Sequence, residues 1–149
     1  EEPTTEEPTT EEPTTEEPTT ATDTDTDTET DTEGMLDYDG KFSVTPPPTK
    51  FCAFGLVDFV LDEVTFATQG NELLIIGPPS TLIQSPPPDG ADFDAQVILP
   101  GGCTETYRLE GSFSDLDNFT ATFTAEYEGQ GMMCADCTTE TWQVVGARI

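Results

Sequence analysis

Residues 102–149, GCTETYRLEGSFSDLDNFTATFTAEYEGQGMMCADCTTETWQVVGARI, decide the fold. Phe119, Ala121, Phe123, Ala125 and Tyr127 alternate with Thr120, Thr122, Thr124, Glu126 and Glu128. Apolar and polar residues therefore take opposite faces of a half-buried strand. Tyr107, Leu109, Gly111 and Phe113 repeat the pattern just upstream, with Thr106, Arg108 and Glu110 outside. Asp115-Leu116-Asp117-Asn118 between them has the chemistry of an Asx turn, so the two runs form a hairpin. A third run, from about Thr139 to Arg148, follows it.

Upstream of this hairpin the chain keeps the same grammar. Lys41–Thr45 reads as a short strand ended by Pro46-Pro47-Pro48, because proline has no N–H to give a ladder. Phe59–Thr68 reads as one strand whose alternation is blurred by Asp62 and Glu63. Gln69-Gly70-Asn71 signals a tight hairpin returning through Glu72–Ile76. Leu73–Ile76 is apolar at every position and is expected to be central in its sheet or covered. Thr81–Gln84 is a further short strand. Phe93, Ala95, Val97 and Leu99 alternate with Asp94, Gln96 and Ile98 in another. About eight short strands at Gly/Pro-punctuated spacing, with no helical period, predict an all-β fold. Short hairpin connections favour a small antiparallel up-and-down barrel over the alternative, a β-sandwich.

The 149 residues divide by composition. Residues 1–33 hold only Glu, Asp, Thr, Pro and Ala21, opening with four copies of EEPTT. Lacking apolar side chains to bury, they are expected to form a disordered acidic stalk. Proline every fifth residue and mutual carboxylate repulsion favour extension, to a reach on the order of 100 Å. A flexible spacer is the simplest use, and an O-glycan carrier is the alternative. Asp23, Asp25 and Asp27 do not make an EF-hand, since Thr28 and Gly34 occupy the positions that need Gly and Glu. Residues 34–149 form the expected β domain. The net charge of −27 repels nucleic acid and anionic membranes and favours cations or basic partners. No run approaches a membrane span. No basic n-region precedes Glu1, so the chain reads as a mature or trimmed form.

Cys52, Cys103, Cys134 and Cys137 are an even set. The turn at Asp115–Asn118 brings Cys103 near residue 130, within reach of Cys134 or Cys137. One disulfide from Cys103 to either, with Cys52 taking the other, is favoured; Cys134–Cys137 with Cys52–Cys103 is next. Disulfides imply an oxidising, extracellular or cell-envelope setting. A zinc knuckle or a redox dithiol at Cys134-Ala135-Asp136-Cys137 is disfavoured, because a second CxxC and a βαβ pattern are both missing.

The chain has no histidine, which removes Ser-His-Asp and Cys-His machinery. It carries no nucleophile elbow, P-loop, dinucleotide fingerprint or other cofactor motif. A carboxylate hydrolase would need an inward pair, for which Glu105 and Asp62 are the candidates. The inward aromatics are Phe66, Phe93, Tyr107, Phe113, Phe119, Phe123, Tyr127 and Trp142. Core filling is their ordinary use. Phe66, Phe93, Tyr107, Phe123 and Trp142 are the contacts to expect if an apolar ligand enters the barrel. Asn118-Phe119-Thr120 is a glycosylation sequon that matters only in a eukaryotic secretory host.

The acidic Thr/Pro tether, VTFATQGNELLI at 64–75, GGCTETYRLEGSFSDLDNFTATFTAEY at 101–127, CADC at 134–137 and TWQVVGARI at 141–149 together resemble small exported lipoproteins of Gram-negative, myxobacteria-like bacteria. The resemblance covers about residues 35–149, and its motifs are structural. It implies a lipidated cysteine upstream of Glu1 as the sole membrane link. The domain is loosely calycin-like, but no Gly-x-Trp marks the first strand and the single Trp is Trp142, so lipocalin ligand binding does not carry over. The expectation is a non-enzymatic, exported binding or structural module without a cofactor. Its partner would be a protein, a glycan or a small apolar ligand. The alternatives are an apolar-ligand carrier, a carboxylate hydrolase and a subunit of an extracellular assembly.

Overall fold

The computed structural model describes residues 37–54, 56–130 and 132–149, so the stalk lies outside the described residues. Among the described residues ten strands form: β1 Gly40–Thr45, β2 Thr49–Cys52, β3 Val57–Val60, β4 Glu63–Gln69, β5 Glu72–Ile76, β6 Leu82–Gln84, β7 Asp92–Leu99, β8 Thr104–Asp115, β9 Asn118–Glu128 and β10 Glu140–Arg148. Eight close a barrel in the order β1-β10-β9-β8-β7-β6-β5-β4, and β2–β3 is a separate two-stranded sheet. Every pairing is antiparallel, with β1 joined to both β10 and β4. The architecture is an up-and-down barrel with one inserted hairpin. It is held most firmly at β8–β9, where Tyr107 lies opposite Ala125 and Leu109 opposite Phe123. The thinnest seam is β6–β7, where Ile83 and Gln96 are the one registered pair. There the Gln84 side-chain carbonyl accepts the Asp94 N–H at 2.8 Å.

The barrel interior is filled by two aromatic layers. Phe42, Phe66, Phe93, Phe113 and Phe119 interlock mostly edge to face, with ring centroids 5.0 to 5.7 Å apart, the geometry that the ring quadrupole favours. Nearer the other end, Phe59, Tyr107, Phe123, Tyr127 and Trp142 meet at 5.8 to 6.4 Å. Gly146 makes room for this volume, and Gly111 lets β9 approach β8 closely. A Cβ on Gly146 would run into the Phe119 ring, and one on Gly111 into Thr120 and Ala121 of β9.

The run from Phe59 to Thr68 is two strands, not one. Val57, Phe59 and Leu61 face inward at odd positions, Val64 and Phe66 at even ones, so the period-two phase slips by one residue at the break. Thr49–Cys52 is a further strand that the sequence reading did not assign. Leu73–Ile76 is central, paired with β4 on one side and β6 on the other, but its outer face is not covered: Leu73 and Ile75 are buried, whereas Ile76 is exposed, because β5 belongs to a single-walled barrel with solvent outside.

Candidate functional site

The barrel has two unlike ends. At one, which we call the mouth, β1 begins, β10 ends and the loops 70–71, 85–91 and 116–117 lie. Tyr38 folds across this end and stacks on Phe113 at 4.0 Å with rings nearly parallel. Asp39 fixes the crossing, since its carboxylate accepts the Thr68 N–H and hydroxyl at 2.9 and 3.0 Å. Arg148 ties the same region from the other side. It donates to the carbonyls of Asp39 and Leu116 and pairs with Asp117 at 3.0 Å, and its guanidinium lies 4.8 Å from the Phe42 ring centroid.

A pocket of about 220 Å³ remains beside Tyr38, floored by Phe66, Leu73 and Phe113 and walled by Pro87 and Pro88, with Asp37 and Asp39 at its rim. It is apolar with an acidic edge, and such concavities with few polar groups are where small ligands are held. Phe66 is the one member of the five ligand-contact candidates that lines it. Phe93 packs beside Phe66 at 5.1 Å, while Tyr107, Phe123 and Trp142 belong to the second layer. Tyr38, Leu73, Pro87 and Pro88 carried no signal as site residues. Pro87 and Pro88 lie in the loop between β6 and β7, and only the closed barrel brings them to the pocket beside Tyr38.

The opposite end is covered by the β2–β3 hairpin. Phe59 plugs it, packing against Tyr107, Phe123 and Trp142. Lys50 is buried yet satisfied. Its ammonium donates to the Thr138 carbonyl at 3.0 Å, pairs with Glu140 at 3.1 Å and lies 5.8 Å from the Tyr127 ring centroid. Glu105 faces inward and accepts the Tyr107 hydroxyl at 2.5 Å. Burial, then this hydrogen bond, pushes the Tyr107 phenol well above its ordinary value, and burial raises that of Tyr127. The Tyr127 hydroxyl is buried without a hydrogen-bond partner among the described residues. Asp62 is exposed, so it does not join Glu105 inside. The β3–β4 break turns it outward.

The cysteines join Cys52 to Cys137 and Cys103 to Cys134, with Cα separations of 5.4 and 5.2 Å. This is one of the two favoured pairings. All four sulfurs are bonded, which overturns the zinc-knuckle, dithiol and local Cys134–Cys137 readings. Cys103–Cys134 closes the open end of the β8–β9 hairpin, and Cys52–Cys137 fastens the covering hairpin to the same segment. On the outer wall Arg108 forks onto Asp94 with both bonds at 2.6 Å, holding the Asp94 carboxyl below its usual range. Asn118 of the sequon is exposed and donates to Asp115 at 2.9 Å.

No family model, curated protein or solved structure matches the chain.

Proposed function

We propose that this is an exported, non-enzymatic binding module of the cell envelope or extracellular space, carried on an acidic stalk, that takes a small apolar ligand at the barrel mouth. The observation that carries the reading is the division between interior and mouth. Interlocked aromatics fill the barrel, and the 220 Å³ pocket at Tyr38 remains as an apolar concavity. Ligand entry is therefore assigned to the mouth and not to the barrel axis. Two disulfides are consistent with an oxidising compartment and support export. The resemblance to lipoproteins supports a lipid anchor upstream of Glu1.

The neutral fluorophore N-phenyl-1-naphthylamine is the test ligand. Saturable binding at one site, weakened about tenfold by Pro88→Trp at the pocket wall, is expected. Binding that is absent, or indifferent to Pro88→Trp, would remove the mouth assignment. Free thiols in the protein isolated from its own compartment would contradict export.

A further inference from the structure

At the end away from the mouth, the β2–β3 hairpin sends its side chains to two environments. Lys50, Cys52, Val57 and Phe59 are buried against the barrel, while Phe51, Phe54, Leu56 and Val60 are 71, 53, 83 and 46% exposed. Single apolar residues on a surface need no explanation, but four on one short hairpin form a patch. Phe51 lies opposite Asp58 and Thr49 opposite Val60, so Phe51 and Val60 are diagonal neighbours on the outward face. Phe54 and Leu56 occupy the turn beyond them.

This presentation is held in place. Cys52 is bonded to Cys137 at the base of the turn, and the Phe54 N–H donates to the Asp136 carboxylate at 3.1 Å. Leu56 sits at φ 56°, in the left-handed region that costs a leucine about 1–2 kcal/mol and that Gly or Asn would occupy more cheaply. A strained, exposed leucine on a pinned turn is the kind of outlier that points to a function.

We infer that the hairpin tip is a docking surface for a protein partner that offers an apolar groove with a basic rim. Charge selects this occupant. Asp58 and Asp136 flank the tip and are exposed. The four bases of the chain, Lys41, Lys50, Arg108 and Arg148, each sit in an ion pair. An anionic membrane is repelled, and a second copy would set carboxylate against carboxylate. Lys or Arg around a groove complements the tip and steers approach. β1 starts at the mouth and β2–β3 follow its other end, so the tip lies at the far pole, clear of the mouth pocket and independent of what that pocket binds.

A short amphipathic Leu/Lys helix, whose apolar stripe is bordered by ammonium groups, is the probe. Its binding to the full chain is followed by fluorescence anisotropy. Phe51→Ser, Phe54→Ser and Leu56→Ser combined leave the charge unchanged and should weaken binding about tenfold or more. Leu56→Asn suits the left-handed backbone, so it should weaken binding several-fold while raising Tm. It keeps the test valid if the triple variant folds poorly. Equal binding by the variants would overturn the proposal, because the acidic surface alone would then be the contact. Co-sedimentation of the wild-type chain with phosphatidylcholine vesicles, lost in the variants, would assign the tip to lipid and overturn it too. Concentration-dependent dimerisation lost in the variants would do the same in favour of a second copy.

Discussion

Phe59→Ala tests whether the β2–β3 hairpin is part of the core or merely lies over it. Phe59 is 4% exposed and meets three rings of the barrel, Tyr107, Phe123 and Trp142. Truncating a buried Phe to Ala costs about 3–5 kcal/mol, with the higher values where the cavity cannot collapse. Collapse is resisted here at both ends of the hairpin. Cys52–Cys137 holds its turn side, and the Leu61 N–H donates to the Pro48 carbonyl at 2.9 Å at its base. We therefore expect a loss of about 4 kcal/mol, within that range. At roughly 4 °C per kcal/mol for a domain of this size, Tm should fall by about 15 °C. Urea unfolding gives the free energy and calorimetry the Tm. Near-UV circular dichroism reports on Trp142, whose ring lies 6.4 Å from Phe59. Phe51→Ala on the outward face of the same hairpin is the internal control and should stay within about 0.5 kcal/mol of wild type. A loss below about 1.5 kcal/mol for Phe59→Ala, short of the range for a buried Phe and with the Trp142 signal unchanged, would refute the plug.

Gly146→Ala places a methyl against the Phe119 ring and should cost about 1–3 kcal/mol by overpacking, read from the urea midpoint. Loss of the Cys52–Cys137 bond, which closes a separation of 85 residues, should cost more than loss of Cys103–Cys134, which closes 31. Chain entropy gives about 4.6 against about 3.7 kcal/mol. Calorimetry of the two paired Cys→Ser variants should show that order, and the reverse would mean that loop closure is not the dominant effect. Tyr107 and Tyr127 have phenol pKa values raised above 10.0 by burial. Their contribution is therefore complete below pH 10 and is lost as pH rises past it, because the unfolded chain releases protons that the folded one retains. Urea midpoints should fall in that alkaline window, and Tyr107→Phe should flatten the fall.

Period-two alternation made the barrel strands legible, because solvent lies on one side of each and core on the other. The Asp115–Asn118 turn placed Cys103 beside its partner for the same reason: once a hairpin turn is located, register follows. The break between β3 and β4 was present in the sequence as the blur at Asp62 and Glu63. Its meaning, a one-residue slip of phase between Leu61 and Val64, needs the knowledge that both flanking runs point into one barrel. Leu73–Ile76 was legible as a central strand but not in its phase, because an all-apolar run does not distinguish Ile76 outside from Ile75 inside. The mouth pocket was illegible because Tyr38 and the Pro87–Pro88 wall are far apart in sequence and meet only when the barrel closes.

The covering hairpin is the hardest case and the most informative. Its two faces are Lys50, Cys52, Val57, Phe59 and Thr49, Phe51, Asp58, Val60, each a mixture of charge and apolar surface. Hydropathy alone would bury Phe51 and expose Lys50, and the protein does the reverse. The inversion is affordable because Lys50 finds the Thr138 carbonyl, Glu140 and the Tyr127 ring under the hairpin, so a buried ammonium is paired and hydrogen-bonded. Cys52 shares its face and must reach Cys137, which fixes the register in this sense. With Lys50 and Cys52 committed inward, Phe51 has to face solvent. The exposure of Phe51 is thus a consequence of the disulfide register. That of Phe54 and Leu56 is not, because they lie in the turn beyond β2, where a polar side chain would meet no constraint from the pairing. The argument for a partner at the tip rests on those two residues, and Leu56→Asn addresses it most directly.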